Sequence, residues 1–151
     1  MDQLANTLRA IVWDYADKDL AALAVLRDRI QDTGRNFSLI SYTDLVKNID
    51  FHYPNINNGI AYQINLHGWT GLDRKIIGNC LAYLSMESYL EAGFMANALV
   101  IARLESKPSD IFFDWMERLE VLPNQDEDTV LAYWCEQVKK AHQWYKYGRR
   151  I

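Results

Sequence analysis

Apolar residues recurring every three or four positions dominate both ends of this chain and commit most of it to helix. Near the N-terminus Leu4, Leu8, Ile11 and Tyr15 keep that spacing, and Leu20, Leu23, Leu26 and Ile30 keep it again. Between the two sets "DYADKD" offers Asp17 as an N-cap, so residues 1–34 read as one bent helix or two, closed by Gly34. At the far end Ser109 caps a helix carrying Phe112, Phe113, Met116 and Leu119, which stops before Pro123. The acids Asp126, Glu127 and Asp128 suit the positive end of a last helix running through Val130, Trp134, Val138, Ala141 and Tyr145. Trp134 and Val138 lie one turn apart on its apolar face and are expected to be buried.

The middle of the chain changes character. "NFSLI" (36–40) is too short for a helix and alternates like a strand. Ser41 with Asp44 three residues later resembles a capping box, and Leu45, Val46 and Ile49 supply the buried stripe of the helix it opens. Residues 51–70 lose all periodicity at Pro54, Asn57-Asn58-Gly59 and Gly68, and read as a loop holding one helical turn or a small hairpin around Asn58-Gly59. A connection that long inside a compact domain is a binding loop or conceals an element. Thr70 then caps a long helix through Ile76, Ile77, Cys80, Leu81 and Leu84 toward Gly93, and residues 98–103 of "ALVIAR" read as a second strand. The fold class is α+β, mostly helical, in a single domain 1–151: N-terminal helices in 1–34, a helix-strand-helix-helix-strand core in 35–104, and C-terminal helices in 105–151 packed on it.

Composition removes several classes of function. With 151 residues, 50% of them hydrophobic, the chain can build one core. No apolar run approaches the ~20 residues of a membrane helix, and "MDQLANTLRA" lacks a basic-then-apolar leader pattern, so no membrane contact and a cytoplasmic location are the expectation. Cys80 and Cys135 each sit among apolar or aromatic neighbours and read as two buried thiols. His52, His67 and His142 are too scattered for a zinc site, no glycine-rich phosphate loop occurs, and Ser85 and Ser88 lie outside any nucleophile elbow. No metal, no cofactor and no enzymatic activity are therefore expected. The loop polars His52, Tyr62 and His67 are the remaining candidates for a small-molecule site.

"ISYTDLV" (40–46) and "RKIIG" (74–78) resemble two stretches of the winged-helix domain of alkylguanine-DNA alkyltransferases and alkyltransferase-like proteins. The first is similar to a strand ending in Val/Ile-Ser/Thr-Tyr before a helix, the second to the Arg-x-Val-Gly that opens the recognition helix, and "ALVIA" stands where the next strand would be. The likeness covers residues 37–103 and implies a winged-helix-like core that binds DNA. It implies that Tyr42 presses on a phosphate and that Arg74 enters the base stack as a nucleotide is flipped. Lys47 and Lys75 would extend the phosphate-contacting patch, since a helix-turn-helix lays its first helix across the backbone and its second in the major groove. The reactive Pro-Cys-His-Arg is absent, so no alkyl transfer is expected.

Charge supports a different partner. The net charge is −4; residues 105–128 carry eight acids and two bases, whereas residues 139–151 carry Lys139, Lys140, Lys146, Arg149 and Arg150 and no acid. A basic helix end complements the helix dipole without any ligand. Two functions stay open: a non-enzymatic winged-helix-like DNA-binding or regulatory protein, and a protein-interaction module, such as an inhibitor or accessory subunit, using an acidic and aromatic surface.

Overall fold

A computed structural model describes residues 2–148. The elements in chain order are α1 (Gln3–Arg9), α2 (Leu20–Arg35), β1 (Ile40–Ser41), α3 (Tyr42–Val46), α4 (Gly71–Ala92), β2 (Val100–Ile101), α5 (Asp110–Arg118) and α6 (Glu127–Tyr147), with 3₁₀ turns at Asn57–Gly59 and Ala96–Leu99. The molecule is α+β and mostly helical, as the periodicity requires. Arg149 and Arg150 of the basic tail lie outside the described residues.

The N-terminal segment resolves into two helices. Asp2 caps α1 through the Ala5 amide, and Asp19, not Asp17, caps α2 by accepting from the Ala22 amide at 3.0 Å. Gly34 does not end α2. It lies buried inside the last turn, where an added Cβ would stand 2.3 Å from Cδ2 of Tyr145, so the missing side chain lets α6 close onto α2. The long central helix α4 is organised by its start. Thr70 Oγ1 accepts from the Asp73 amide at 3.1 Å while Asp73 Oδ2 accepts from the Thr70 amide at 2.9 Å, a complete capping box. Gly93, at φ 80°, ends the helix in the left-handed conformation.

The strands are shorter than the sequence pattern suggested. β1 and β2 are two residues each and pair in parallel, Ile40 opposite Val100 and Ser41 opposite Ile101. Residues 36–39 are not extended in a ladder, and residues 96–99 turn in a 3₁₀ helix before β2 begins. Two buried serines of α4 hold that turn. Ser88 Oγ donates to the Phe94 carbonyl at 2.7 Å and accepts from the Ala96 amide at 2.9 Å, and Ser85 Oγ accepts from the Asn97 amide at 3.0 Å. These bonds satisfy backbone groups that a strand would have paired with a neighbour.

Residues 51–70 contain the element that periodicity could not reveal. Phe51 and Tyr62 form an antiparallel bridge with both backbone bonds, at 2.9 and 2.8 Å, and close a compact loop over the turn Asn57–Gly59. Phe51, Tyr53 and Ile64 are buried in the main core, so the segment is packed structure. Tyr62 Oη donates to the buried carboxylate of Asp73 and ties the loop to the start of α4.

The core comprises two apolar clusters. The larger joins α2, α3, α4 and the loop; the smaller gathers Leu8, Met95, Phe112, Phe113, Met116, Leu122 and Val130 beneath α5. Two expectations about α6 are corrected. Trp134 and Val138 are half-buried, because the centre of the α6 interface is Val130, Gln137 and Ala141. Gln137 is buried and its Oε1 accepts from the Met95 amide at 2.8 Å. Cys135 is exposed on the outer face, and only Cys80 is a buried thiol.

Candidate functional site

A groove of about 1130 Å³ runs between α4 and α5. Its walls come from the segment after α1, from β1 and the start of α3, from residues 66–69, from α4, and from the turn after β2. Each wall is fixed. Asn79 of α4 accepts from the amides of Tyr15 and Ala16 at 3.0 and 2.8 Å, which holds the segment after α1 against the helix. The turn after β2 is closed by Ala102 and Lys107, whose amide and carbonyl bond at 2.8 Å, and it lifts Leu104 to 95% exposure on the rim.

Tyr42, Arg74 and Lys75 all line this groove, and Lys47 does not. Lys47 is exposed at the end of α3, where its carbonyl, with that of Leu45, accepts from the Arg29 guanidinium. Tyr42 is half-buried, stands edge-to-face on Trp69 with ring centroids 6.1 Å apart, and accepts from the Ser109 amide at 3.1 Å. Ser109 therefore does not cap α5 with its side chain. Its amide instead clamps Tyr42, joining the start of α3 to the start of α5.

The cationic character comes from four residues, two of them outside the sequence reading. Arg74 and Lys75 leave the first turns of α4 and are exposed, Arg118 leaves the end of α5, and Arg103 stands beside Leu104. Among the described residues Arg74, Lys75 and Arg118 have no ion-pair partner, while Arg103 approaches Asp44 at 3.4 Å. Asp14 and Glu105 are the acids of the lining. The walls also carry Trp69 and Trp115, both half-buried, so rings and cations share one concavity. Arg118 and Trp115 were hidden in the sequence by the acidic stretch around them. Their spacing from Ile111 along α5 was the available signal, because positions three and four apart share a helix face.

One polar group in the groove lacks a partner. Asn97, 5% exposed, is part of the lining, and its Oδ1 is buried with no hydrogen bond among the described residues.

The other candidates do not assemble. His52 is exposed and donates its amide to Asp19, Tyr62 is engaged with Asp73, and only His67 reaches the groove. Burial pushes Tyr62 above its ordinary value, and its hydrogen bond to Asp73 adds to the effect. Burial alone would raise Asp73, but bonds from Tyr62, Thr70 and Asn65 outweigh it and hold the carboxyl below its ordinary value. Burial pushes the Cys80 thiol up to about 12, so it is no nucleophile at neutral pH. No group of three or more His, Cys, Asp or Glu able to hold a metal occurs among the described residues, and none of their helices is long and apolar enough to cross a membrane.

No family model matches the chain, and no curated protein or solved structure matches it.

Proposed function

We propose that this protein is a non-enzymatic, winged-helix-like DNA-binding or regulatory protein whose ligand site is the groove between α4 and α5. The observation that carries this reading is the convergence of three unpaired cations, Arg74, Lys75 and Arg118, on an aromatic-walled groove in a chain of net charge −4. Cations left unpaired beside their own protein's excess acid are suited to phosphate, and release of condensed counterions supplies the affinity. In this reading α4 presents the phosphate-contacting side chains, and the turn Ala102–Lys107 after β2 is a short wing beside it.

The test is fluorescence anisotropy with labelled DNA across a salt series. Wild type binds with an affinity that falls linearly in log–log form, and each phosphate contact removed lowers the slope by about 0.9. Arg74→Ala with Lys75→Ala binds more weakly and with a shallower slope. Parallel lines, or no binding by wild type at low salt, refute the reading.

A second reading, a protein-interaction module, draws on the apolar rim. Leu104 at 95% and Ile111 at 62% exposure are large aliphatic side chains beside the groove, and Asp110, Asp114 and Glu117 line the outer side of α5. Loss of DNA binding in the assay above leaves this reading in place.

A further inference from the structure

We infer that the groove between α4 and α5 is also a binding site for a small amphipathic organic anion, a compact aromatic body carrying one acidic group. The acid sits on Arg74 and Lys75, and the body lies over Gly78. The inference stands apart from the DNA reading and goes beyond it to a second class of ligand.

The first argument is a glycine that the fold does not need. Gly78 lies inside the 22-residue helix α4, where glycine is disfavoured against alanine because it loses more backbone freedom on folding. Gly34 lacks a side chain because Tyr145 occupies the space. At Gly78 nothing stands within 4 Å of the place a Cβ would take, and the residue is exposed in the groove. Its missing side chain leaves room in the groove and serves no contact within the protein. Ala82, one turn further along the same face, also lines the groove. Beyond Arg74 the α4 wall is therefore low for roughly 12 Å, at 1.5 Å per residue.

The second argument is the pairing of charge with apolar walls. Arg74 and Lys75 stand one turn before Gly78, are exposed, and have no ion-pair partner among the described residues. Arg103 and Arg118 join them in the lining against the acids Asp14 and Glu105, so the groove is positive in a chain of net charge −4. Ile11, Trp69, Ile111 and Trp115 wall the same space, and none of them is fully buried. Phosphate contacts account for the cations but leave these apolar walls and the bare stretch of α4 unused. Small-molecule clefts have this lining, mostly hydrophobic and aromatic with a few polar groups that fix orientation. At about 1130 Å³ the groove is just larger than their usual range of roughly 300–1,000 Å³, so a compact ligand occupies part of it. A ring system suits tryptophan walls, because aromatic pairs gain beyond the area they bury. One acidic group completes the match by pairing with cations that the protein leaves free.

The experiment is a fluorescence titration of the full chain with anilinonaphthalene sulfonate and with N-phenylnaphthylamine, which has the same rings and no acid. One sulfonate probe binds per chain, about tenfold tighter than the neutral one, the gain of a single charge-assisted contact. Arg74→Ala with Lys75→Ala brings the sulfonate down to about the affinity of the neutral probe and leaves the neutral probe unchanged. Gly78→Leu fills the low stretch and weakens both probes by at least about tenfold. Its melting temperature equals or exceeds that of wild type, since leucine is the better helix former and no atom obstructs its Cβ. No binding of the sulfonate by wild type overturns the inference. So does a neutral probe that binds as tightly, or a sulfonate affinity undiminished in either variant. None of these titrations contains nucleic acid, so each of those results leaves the DNA-binding reading to its own test.

Discussion

Replacing Gly34 by alanine should destabilise the protein, against the ordinary preference of helices. Alanine in a helix interior is favoured over glycine by about 1 kcal/mol. At this position the new methyl carbon would lie 2.3 Å from Cδ2 and 2.9 Å from Cβ and Cγ of Tyr145. The Cβ of Tyr145 is anchored to the α6 backbone, so a ring rotation cannot relieve the clash and α6 itself must shift. Its ring is also set edge-to-face on Phe94 at 5.3 Å, which closes the other way out. Overpacking of this kind costs about 1–3 kcal/mol, and a contact this short belongs at the upper end. Setting about 3 against the 1 gained leaves a net loss of about 2 kcal/mol, or roughly 4–8 °C in melting temperature for a chain of this size. Urea denaturation and calorimetry of Gly34→Ala measure it. Gly78→Ala is the internal control: it lies in α4 with nothing within 4 Å of the added Cβ, and should gain about 0.5–1 kcal/mol. If both variants are stabilised alike, the close approach of α2 and α6 is not what places glycine at 34.

Trp134→Ala should cost about 3 kcal/mol, the low end for an aromatic truncation, since the ring is half-buried; Trp134→Phe should lose about 1 kcal/mol because its indole N–H no longer reaches the buried Ala98 carbonyl at 2.8 Å, and unchanged midpoints for either would contradict the packing described. Asp73, held below its ordinary 3.8 in the folded state, contributes stability that is fully present above that value and lost as pH falls through its folded pKa. The urea midpoint should therefore hold steady from neutral pH down to about pH 5 and decline below about 4, with a smaller decline in Asp73→Asn. A neutral-pH thiol reagent should label exposed Cys135 in the native protein and Cys80 only after unfolding, as mass spectrometry of the two peptides would report.

Long periodic segments were legible in the sequence because an amphipathic helix repeats its signal over several turns. The spans of α2, α4 and α6 follow directly from their apolar spacing, and Thr70 declared the start of α4 by its chemistry. What the sequence concealed depends on contacts made far along the chain. Gly34 looks like a stop signal until Tyr145 is brought against it. Gln137 looks like an exposed helix residue until the Met95 amide needs an acceptor. Strands of two residues are too short for any alternation to register, so both strands were drawn too long. Within the groove, Tyr42, Arg74 and Lys75 were legible as a polar set, whereas Arg118, Trp115 and Asn97 became visible only when α5 and the turn at 96–99 took their places.

The pairing of Ile40 with Val100 also sets the order in which this protein can be made. A parallel ladder needs both strands present, so β1 leaves the ribosome with no hydrogen-bonding partner and waits while the next 60 residues are synthesised. Translation at ~5–20 residues per second makes that wait several seconds. The part of α2 that meets α6 waits longer still, since Tyr145 of α6 follows Gly34 by more than a hundred positions. Contacts so distant in sequence are slow to form and leave apolar surface open in the interval. A polypeptide stopped short of α6 should therefore be a substrate for proteolysis instead of a smaller folded domain.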